Sequence, residues 1–196
     1  TCQVTVKAQP SIQLNQSKAT IYTTGTTTVT LTATVTGDSK DVTWTSSDSS
    51  IATVSNGVVT AKKAGTVTVT ATANGKSVSA DITVVASSIK LDKTSATIYT
   101  TGTKTVTLKA TVVGASQTVT WKSSNTSIAT VSNGKVTAKK AGTVTITATA
   151  NGVSKTVKVT VKAPAIKLNK SKATIYTKGT KTVTLKATVT GSSKTV

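Results

Sequence analysis

The 196-residue chain contains no histidine, glutamate, arginine, methionine or phenylalanine, and only one cysteine, two prolines and five acidic residues. General acid–base catalysis relies mainly on histidine and paired carboxylates, so its usual participants are scarce. A single cysteine forms no internal disulfide and excludes a metal site built on several thiolates. No apolar run approaches the roughly 20 residues that span a bilayer, and the first residues show no basic segment followed by an apolar one.

Threonine, valine, alanine and serine make up most of the chain. Threonine and valine are β-branched and fit a pleated, half-buried surface, whereas the long unbranched residues that favour helices are nearly absent apart from lysine. Disorder is the alternative for such a polar, charged chain. The apolar residues alternate with polar ones over many segments, which favours a folded β-protein instead.

The chain repeats itself with a period of 77 residues. Equivalent positions carry the same residue without any gap: Ile12, Ile89 and Ile166; Tyr22, Tyr99 and Tyr176; Trp44 and Trp121; Gly65 and Gly142; Asn74 and Asn151. A fixed period of this kind predicts an array of similar units. We expect complete units at residues 10–86 and 87–163, the last strand of a preceding repeat at residues 1–9, and the first strands of another at residues 164–196.

Each unit shows the alternation of strands with one apolar face. In the second unit we predict strands at residues 105–112, 118–122, 143–150 and 156–162, and tight hairpin turns at Asn133-Gly134 and Asn151-Gly152. Cys2 aligns with Val157 on an inward row, which favours a small core residue over the alternative, a cysteine that forms an intermolecular disulfide. Seven or so one-faced strands must pair two sheets, so the predicted fold is all-β: tandem immunoglobulin-like β-sandwiches forming an elongated array.

The stretch from Val119 to Gly152, VTWKSSNTSIATVSNGKVTAKKAGTVTITATANG, resembles the bacterial immunoglobulin-like group 2 repeats. The resemblance covers essentially the whole chain and includes the tryptophan and the spacing of the small and glycine residues after it. It implies an immunoglobulin-like sandwich of the kind used in surface adhesins of the intimin and invasin type, in cell-wall and S-layer proteins, and in phage structural proteins. Family members serve as spacers or binding modules.

Side chains that carry chemistry do not follow the repeat. The five acids align with uncharged residues or, at Lys158, with a lysine; they are Asp38, Asp41, Asp48, Asp81 and Asp92. Ligands tied to a repeated architecture would themselves repeat, and the serines lack an activating base. We therefore predict no catalytic, cofactor-binding or metal-binding residue. Trp44 and Trp121 are interpreted as core residues, with a sugar-stacking platform as the alternative.

The net charge of +19 attracts polyanions through salt-sensitive electrostatics. The lysines of the second unit are scattered along the sequence without interleaved aromatic residues, which argues against specific nucleic-acid recognition. A solvated charged face that keeps a repetitive β-protein soluble is the simpler interpretation. Lys109 and Lys122 are expected to point outward from strands, where charge discourages aggregation.

Together these features predict a non-catalytic structural module of an extracellular bacterial surface protein, located at the cell surface or in the cell wall and acting as a semi-rigid spacer or stalk in adhesion. One alternative is a subunit of an assembled filament, S-layer or phage appendage. Another is a cationic module that binds anionic cell-wall polymers. Candidate partners are the neighbouring repeats, those polymers, or a host or cell-surface receptor, with no transmembrane segment and no cofactor.

Overall fold

A computed structural model describes residue 3 and residues 9–179 and 182–191 of the chain. The predicted closing strand at residues 1–9 and the expected inward position of Cys2 lie outside the described residues, except for Gln3 and Gln9. All regular structure in the described part is β-strand, as the composition predicts. Within those same residues, no helix has the length and apolar character needed to cross a membrane.

Each 77-residue repeat contains nine strands. The first repeat has β1 (Ser11–Leu14), β2 (Lys18–Tyr22), β3 (Thr28–Thr30), β4 (Ala33–Thr36), β5 (Thr43–Ser46), β6 (Ala52–Ser55), β7 (Val58–Ala61), β8 (Gly65–Ala73) and β9 (Lys76–Val85). The second has β10 (Ser88–Leu91), β11 (Ser95–Tyr99), β12 (Thr105–Thr107), β13 (Ala110–Val113), β14 (Thr120–Ser123), β15 (Ala129–Ser132), β16 (Lys135–Ala138), β17 (Gly142–Ala150) and β18 (Val153–Lys162). The third begins with β19 (Ala165–Leu168) and includes β20 (Ala187–Thr190).

The strands of each complete repeat form the same set of sheets. In the first repeat these are a four-stranded sheet β2-β9-β8-β5, a three-stranded sheet β3-β7-β6 and a two-stranded sheet β1-β4. The second repeat reproduces them as β11-β18-β17-β14, β12-β16-β15 and β10-β13. In each, the second strand pairs in parallel with the last one, whereas the other registered pairs are antiparallel. The chain divides into two compact units, built mainly from the first and the second repeat.

Two predicted strands differ from the structure: the one predicted at residues 118–122 runs from Thr120 to Ser123, and the other is divided. Residues 105–112 were expected to form one continuous strand, but the chain leaves β12 after Thr107 and enters β13 at Ala110. The reason is that β12 pairs with β16, whereas β13 pairs with β10 in a different sheet. Lys109, expected to point outward from a strand, is exposed but lies at this crossing between two sheets.

The core of each repeat is made of aliphatic side chains. In the second repeat, the inward residues of β17 and β18 pack against Ile98, Leu108, Ala129 and Val136 from the other strands. The first repeat repeats this packing with Ile21, Leu31, Ala52 and Val59 at the same positions. Among the described residues no polar or charged residue is buried. The one-faced alternation seen in the sequence therefore defines the inner faces of the sandwich.

Predicted Asn-Gly turns close the hairpins. Asn133 and Gly134, which join β15 to β16, have φ angles of 46° and 79°. Asn151 and Gly152 join β17 to β18 in the same left-handed conformation, with φ angles of 49° and 77°. Two successive positive φ angles define the tight turn that suits the twist of paired strands, and asparagine followed by glycine tolerates them best. The structure confirms both turns.

Two glycines of the first repeat share the left-handed conformation but differ in their surroundings. Gly57 has a φ of 78°, its carbonyl accepts a hydrogen bond from the Leu31 amide at 2.8 Å, and an added Cβ would lie 2.3 Å from the Leu31 carbonyl oxygen. Gly75 has a φ of 71°, and nothing lies within 4 Å of the position of an added Cβ. Backbone conformation requires glycine at both positions, but close packing requires it only at Gly57.

We predict that Gly75→Ala lowers the free energy of unfolding of the first repeat by about 1–2 kcal/mol, the cost of a left-handed alanine. Gly57→Ala should cost about 1–3 kcal/mol more, because the methyl group also forces the Leu31 carbonyl to move. Urea unfolding followed by Trp44 fluorescence in a Trp121→Phe background measures both. Equal losses for the two variants would contradict the close approach at Gly57.

Candidate functional site

Three carboxylates of the first repeat accept hydrogen bonds from serine or threonine residues of the same repeat. Asp48 accepts hydrogen bonds from the Ser50 hydroxyl at 2.6 Å and the Ser50 amide at 2.8 Å. Asp41 pairs with the Ser39 hydroxyl at 3.0 Å, and Asp81 accepts from the Thr68 hydroxyl at 3.2 Å. The described residues contain no group of three His, Cys, Asp or Glu side chains that could hold a metal ion. The absence of catalytic, cofactor and metal residues remains a prediction.

A repeated polar bridge holds the end of the first strand of each repeat. The side-chain oxygen of Asn15 accepts a hydrogen bond from the backbone amide of Thr32 at 2.9 Å. The backbone amide of Asn15 donates a hydrogen bond to the backbone carbonyl of Thr32 at 3.0 Å. Asp92 makes the same two bonds with the amide and carbonyl of Lys109, at 2.8 and 3.0 Å. The third repeat reproduces them between Asn169 and Lys186. Asp92 is therefore a charged version of a structural asparagine.

Hydrogen bonds lower the pKa of two of these carboxyl groups. The Lys93 ammonium, 2.5 Å from the Asp92 carboxylate, and then the Lys109 amide lower the pKa of Asp92 below its usual value of 3.8. The Ser50 hydroxyl and amide lower the pKa of Asp48 in the same direction. Both groups stay ionised at neutral pH, and neither has the raised pKa that a carboxyl needs to act as a general acid there.

The two tryptophans pack against the cores of their repeats. Trp44 contacts the core of the first repeat and Trp121 that of the second, and both are half-buried. The Cζ2 atoms of the two rings lie 3.2 Å from the positions that Cβ atoms would occupy at Gly57 and Gly134, respectively. This packing favours the core interpretation over the sugar-stacking platform, because each ring is held against the hairpin that contains the close glycine.

Lysines of the second repeat that are far apart in the sequence come together in space. A groove of about 270 Å³ is lined by Lys90, Lys93 and Lys155 with Ile89, Leu91, Thr94 and Thr156. A second groove of about 250 Å³ shares Lys90 and Leu91 with the first and adds Asp92, Lys109 and Thr111. We call these two adjoining depressions the lysine grooves. They lie along β10 and are the strongest candidate for a binding surface in this repeat.

The sequence did not predict the lysine grooves, because the lysines that line them are far apart along the chain. Lys90 lies on β10, Lys93 follows that strand, Lys109 lies between β12 and β13, and Lys155 is on β18. Pairing of β10 with β13 accounts for the proximity of Lys90 to the start of β13. The signal that could have found them is the comparison of charge at equivalent positions of the repeats, since the first repeat has Gln13, Gln16, Thr32 and Val78 there.

Two tandem β-sandwiches, each closed by parallel pairing of its second and last strands, define a protein of tandem immunoglobulin-like domains. The family model described as bacterial Ig-like domain (group 2) matches residues 8–84 and again residues 85–161. The chain therefore belongs to the bacterial Ig-like domain (group 2) family, as the resemblance indicated.

Similar solved structures are distant. Domains 4 and 5 of the S-layer protein SbsC align over 79% of this chain and 98% of that one, with 22% identity and a TM-score of 0.35. The C-terminal 282-residue fragment of intimin, solved in complex with the intimin-binding domain of the translocated intimin receptor, aligns over 86% and 69%, with 23% identity and a TM-score of 0.39. Titin domains I67–I69 align over 81% and 68%, with 13% identity and a TM-score of 0.46.

This chain spans only 30% of a longer SbsC structure that covers domains 1–6 of that protein. A search of curated proteins found no match.

The bridge at Asp92 yields a pH-dependent prediction, since Asp92 is the sole acidic residue among residues 87–163. Its lowered folded pKa contributes stability that is present above the unfolded value near 3.8 and is lost as the pH falls through the folded pKa. We expect Asp92→Asn to remove this loss in the second repeat while keeping the hydrogen bond from the Lys109 amide. Urea midpoints from Trp121 fluorescence between neutral and strongly acid pH measure it.

Asp92→Ala provides the matched comparison, because alanine removes the acceptor altogether and should lower the urea midpoint at every pH. An Asp92→Asn variant that retains the full acid sensitivity of the parent would contradict the assignment of that sensitivity to Asp92.

Proposed function

We propose that the chain is a non-catalytic spacer of an extracellular bacterial surface protein, in which Ig-like domains spanning residues 10–86 and 87–163 form part of a semi-rigid stalk used in adhesion. The observation that carries this proposal is the shortness of the junctions. Strand β9 ends at Val85 and β10 begins at Ser88, and β18 ends at Lys162 and β19 begins at Ala165. Two residues at each junction restrict the bending of the chain between successive sandwiches.

The first junction is also fastened to the repeat that precedes it. The Ser87 amide donates to the Thr23 hydroxyl at 3.1 Å, and the Ser87 hydroxyl donates to the Thr24 carbonyl at 2.9 Å. The Thr23 amide in turn donates to the Val85 carbonyl at 3.0 Å. In the second junction, Pro164 limits the backbone through its fixed φ angle. The hydrogen bonds of Ser87 support a stiff first junction, and Pro164 supports a stiff second one.

Family membership supports a structural role, and the surface location is the part of the proposal inferred from the resemblance to adhesins and S-layer proteins. In tandem arrays each unit adds length and nearest-neighbour stability, so reach grows with the number of repeats. Assembly into a filament, S-layer or phage appendage is the alternative use of the same domains. It requires association between chains, which a spacer does not.

We predict that the 196-residue chain is monomeric and elongated in solution. A compact globule of this length would have a radius of gyration of about 16 Å, and the stalk should exceed that value clearly in small-angle X-ray scattering. Inserting Gly-Gly-Ser-Gly-Gly-Ser between Ala86 and Ser87 should leave the circular dichroism unchanged but broaden the distribution of interatomic distances, because a flexible linker lets the sandwiches sample bent arrangements.

A radius of gyration near the compact value would refute the stalk. Identical scattering for the parent and the insertion variant would show that the short junction does not restrict bending. Concentration-dependent growth in mass, measured by sedimentation, would instead favour the assembled filament or layer.

A further inference from the structure

Positive charge is distributed unequally between repeats that share one fold. Residues 10–86 carry five lysines and four aspartates, a net charge of +1, whereas residues 87–163 carry eleven lysines and one aspartate, a net charge of +10. Solubility does not require this difference, since the nearly neutral first repeat has the same strands and an equivalent core. A role that the first repeat does not share accounts for the difference better.

The lysine grooves concentrate part of this charge at one place. Four of the eleven lysines line them, and the equivalent residues of the first repeat, Gln13, Gln16, Thr32 and Val78, are all uncharged. In the third repeat the first three positions again carry lysine, as Lys167, Lys170 and Lys186. Of these, Lys170 and Lys186 line a groove of about 700 Å³. The pattern of lysine at these positions is thus present in two repeats and absent from one.

Most of the groove charge is not neutralised by the protein. Asp92 is the only carboxylate that lines the two grooves, and it is engaged by the Lys93 ammonium and the Lys109 amide. Within the described residues, the ammonium groups of Lys90, Lys109 and Lys155 form no hydrogen bond or ion pair, and all three side chains are exposed. Three cations therefore face the same pair of depressions with their charge available to a ligand.

We propose that the lysine grooves bind a polyol phosphate, a flexible polymer whose charges are phosphodiester groups joined by short uncharged carbon segments. Lysine ammonium groups are compact point charges that bind phosphate without a fixed donor geometry, which suits a flexible polymer. The half-buried Leu91 lines both grooves and offers an apolar surface against which the uncharged segments can pack.

Nucleic acid shares the phosphodiester groups but is a poorer match. Binding of single strands relies on aromatic side chains that stack on the bases, and no aromatic residue lines either groove. The proposal does not depend on the spacer function, because a stalk of any stiffness would bind the polymer through the same side chains.

The test measures binding of synthetic poly(glycerol phosphate) to the 196-residue chain by fluorescence anisotropy over a range of salt concentrations. The groove variant replaces the four lysines with the residues of the first repeat: Lys90→Gln, Lys93→Gln, Lys109→Thr and Lys155→Val. The control variant removes four exposed lysines of the same repeat that do not line the grooves: Lys122→Gln, Lys135→Gln, Lys139→Gln and Lys140→Gln. Both start from a background with Lys167→Gln, Lys170→Gln and Lys186→Gln, so that the third repeat does not mask the loss.

We expect the groove variant to bind at least about tenfold more weakly at low salt, and its dependence of log affinity on log salt to be flatter by roughly 2–3, as the loss of about three phosphate contacts implies. The control variant, which has the same net charge, should stay within about threefold of the background chain. Equal losses in the two variants would overturn the proposal, since net charge alone would then explain binding. Thermal unfolding of both variants checks that neither loses its fold.

Two further probes separate the sources of negative charge. Polyglutamate of matched charge should bind more weakly than the phosphate polymer and should distinguish the two variants less. Vesicles of phosphatidylglycerol test the lipid source of the same phosphate chemistry. Preference for polyglutamate, or groove-dependent binding to vesicles without binding to the polymer, would overturn the assignment to a polyol phosphate.

A third variant introduces the groove lysines into the first repeat and tests whether they create binding there. Gln13→Lys, Gln16→Lys and Thr32→Lys place in the first repeat the three lysines that the second and third repeats share. We expect them to raise affinity for poly(glycerol phosphate) several-fold in the background that lacks the groove lysines. An unchanged affinity would contradict the view that these positions form the site.

Discussion

The structure depends on one constraint: the strands of each complete repeat bury one face, and aliphatic side chains must fill the space between those faces. Strands β17 and β18 of the second repeat contribute Val144, Ile146, Val157, Val159 and Val161 to a core that excludes polar groups. Leu31 and Gly57 continue the antiparallel pairing of β3 with β7 by one residue, and this close backbone approach leaves no room for a side chain at Gly57. The half-buried ring of Trp44 packs beside the same glycine.

The same constraint frees the outer surface to vary. Polar and charged residues on the outward rows and in the connections take no part in the core, so the first repeat is nearly neutral and the second strongly basic with the same fold. The bridge at Asn15, Asp92 and Asn169 shows the limit of this freedom. The side-chain oxygen is needed to satisfy the amide of Thr32, Lys109 or Lys186, whereas its charge is optional.

Long-range packing buries the first strand of a repeat. In the first repeat, Ile12 of β1 is 9% exposed and packs with Ala71 and Ala73 of β8, about 60 residues further along the chain. In the second repeat, the equivalent Ile89 is 3% exposed. Burial of these strands is therefore a property of the assembled sandwich and not of the strand by itself.

The sequence by itself determined the 77-residue period, the all-β class, the inward rows of β17 and β18 and the Asn-Gly hairpins, because these follow from local alternation and turn chemistry. It did not reveal that residues 105–112 divide between two sheets, since an alternating strand reads the same whichever partner it pairs with. Only the tertiary structure brought Lys90, Lys93, Lys109 and Lys155 to adjoining grooves. Their proximity arises from the packing of elements up to 65 residues apart, and local sequence patterns carry no information about such distances.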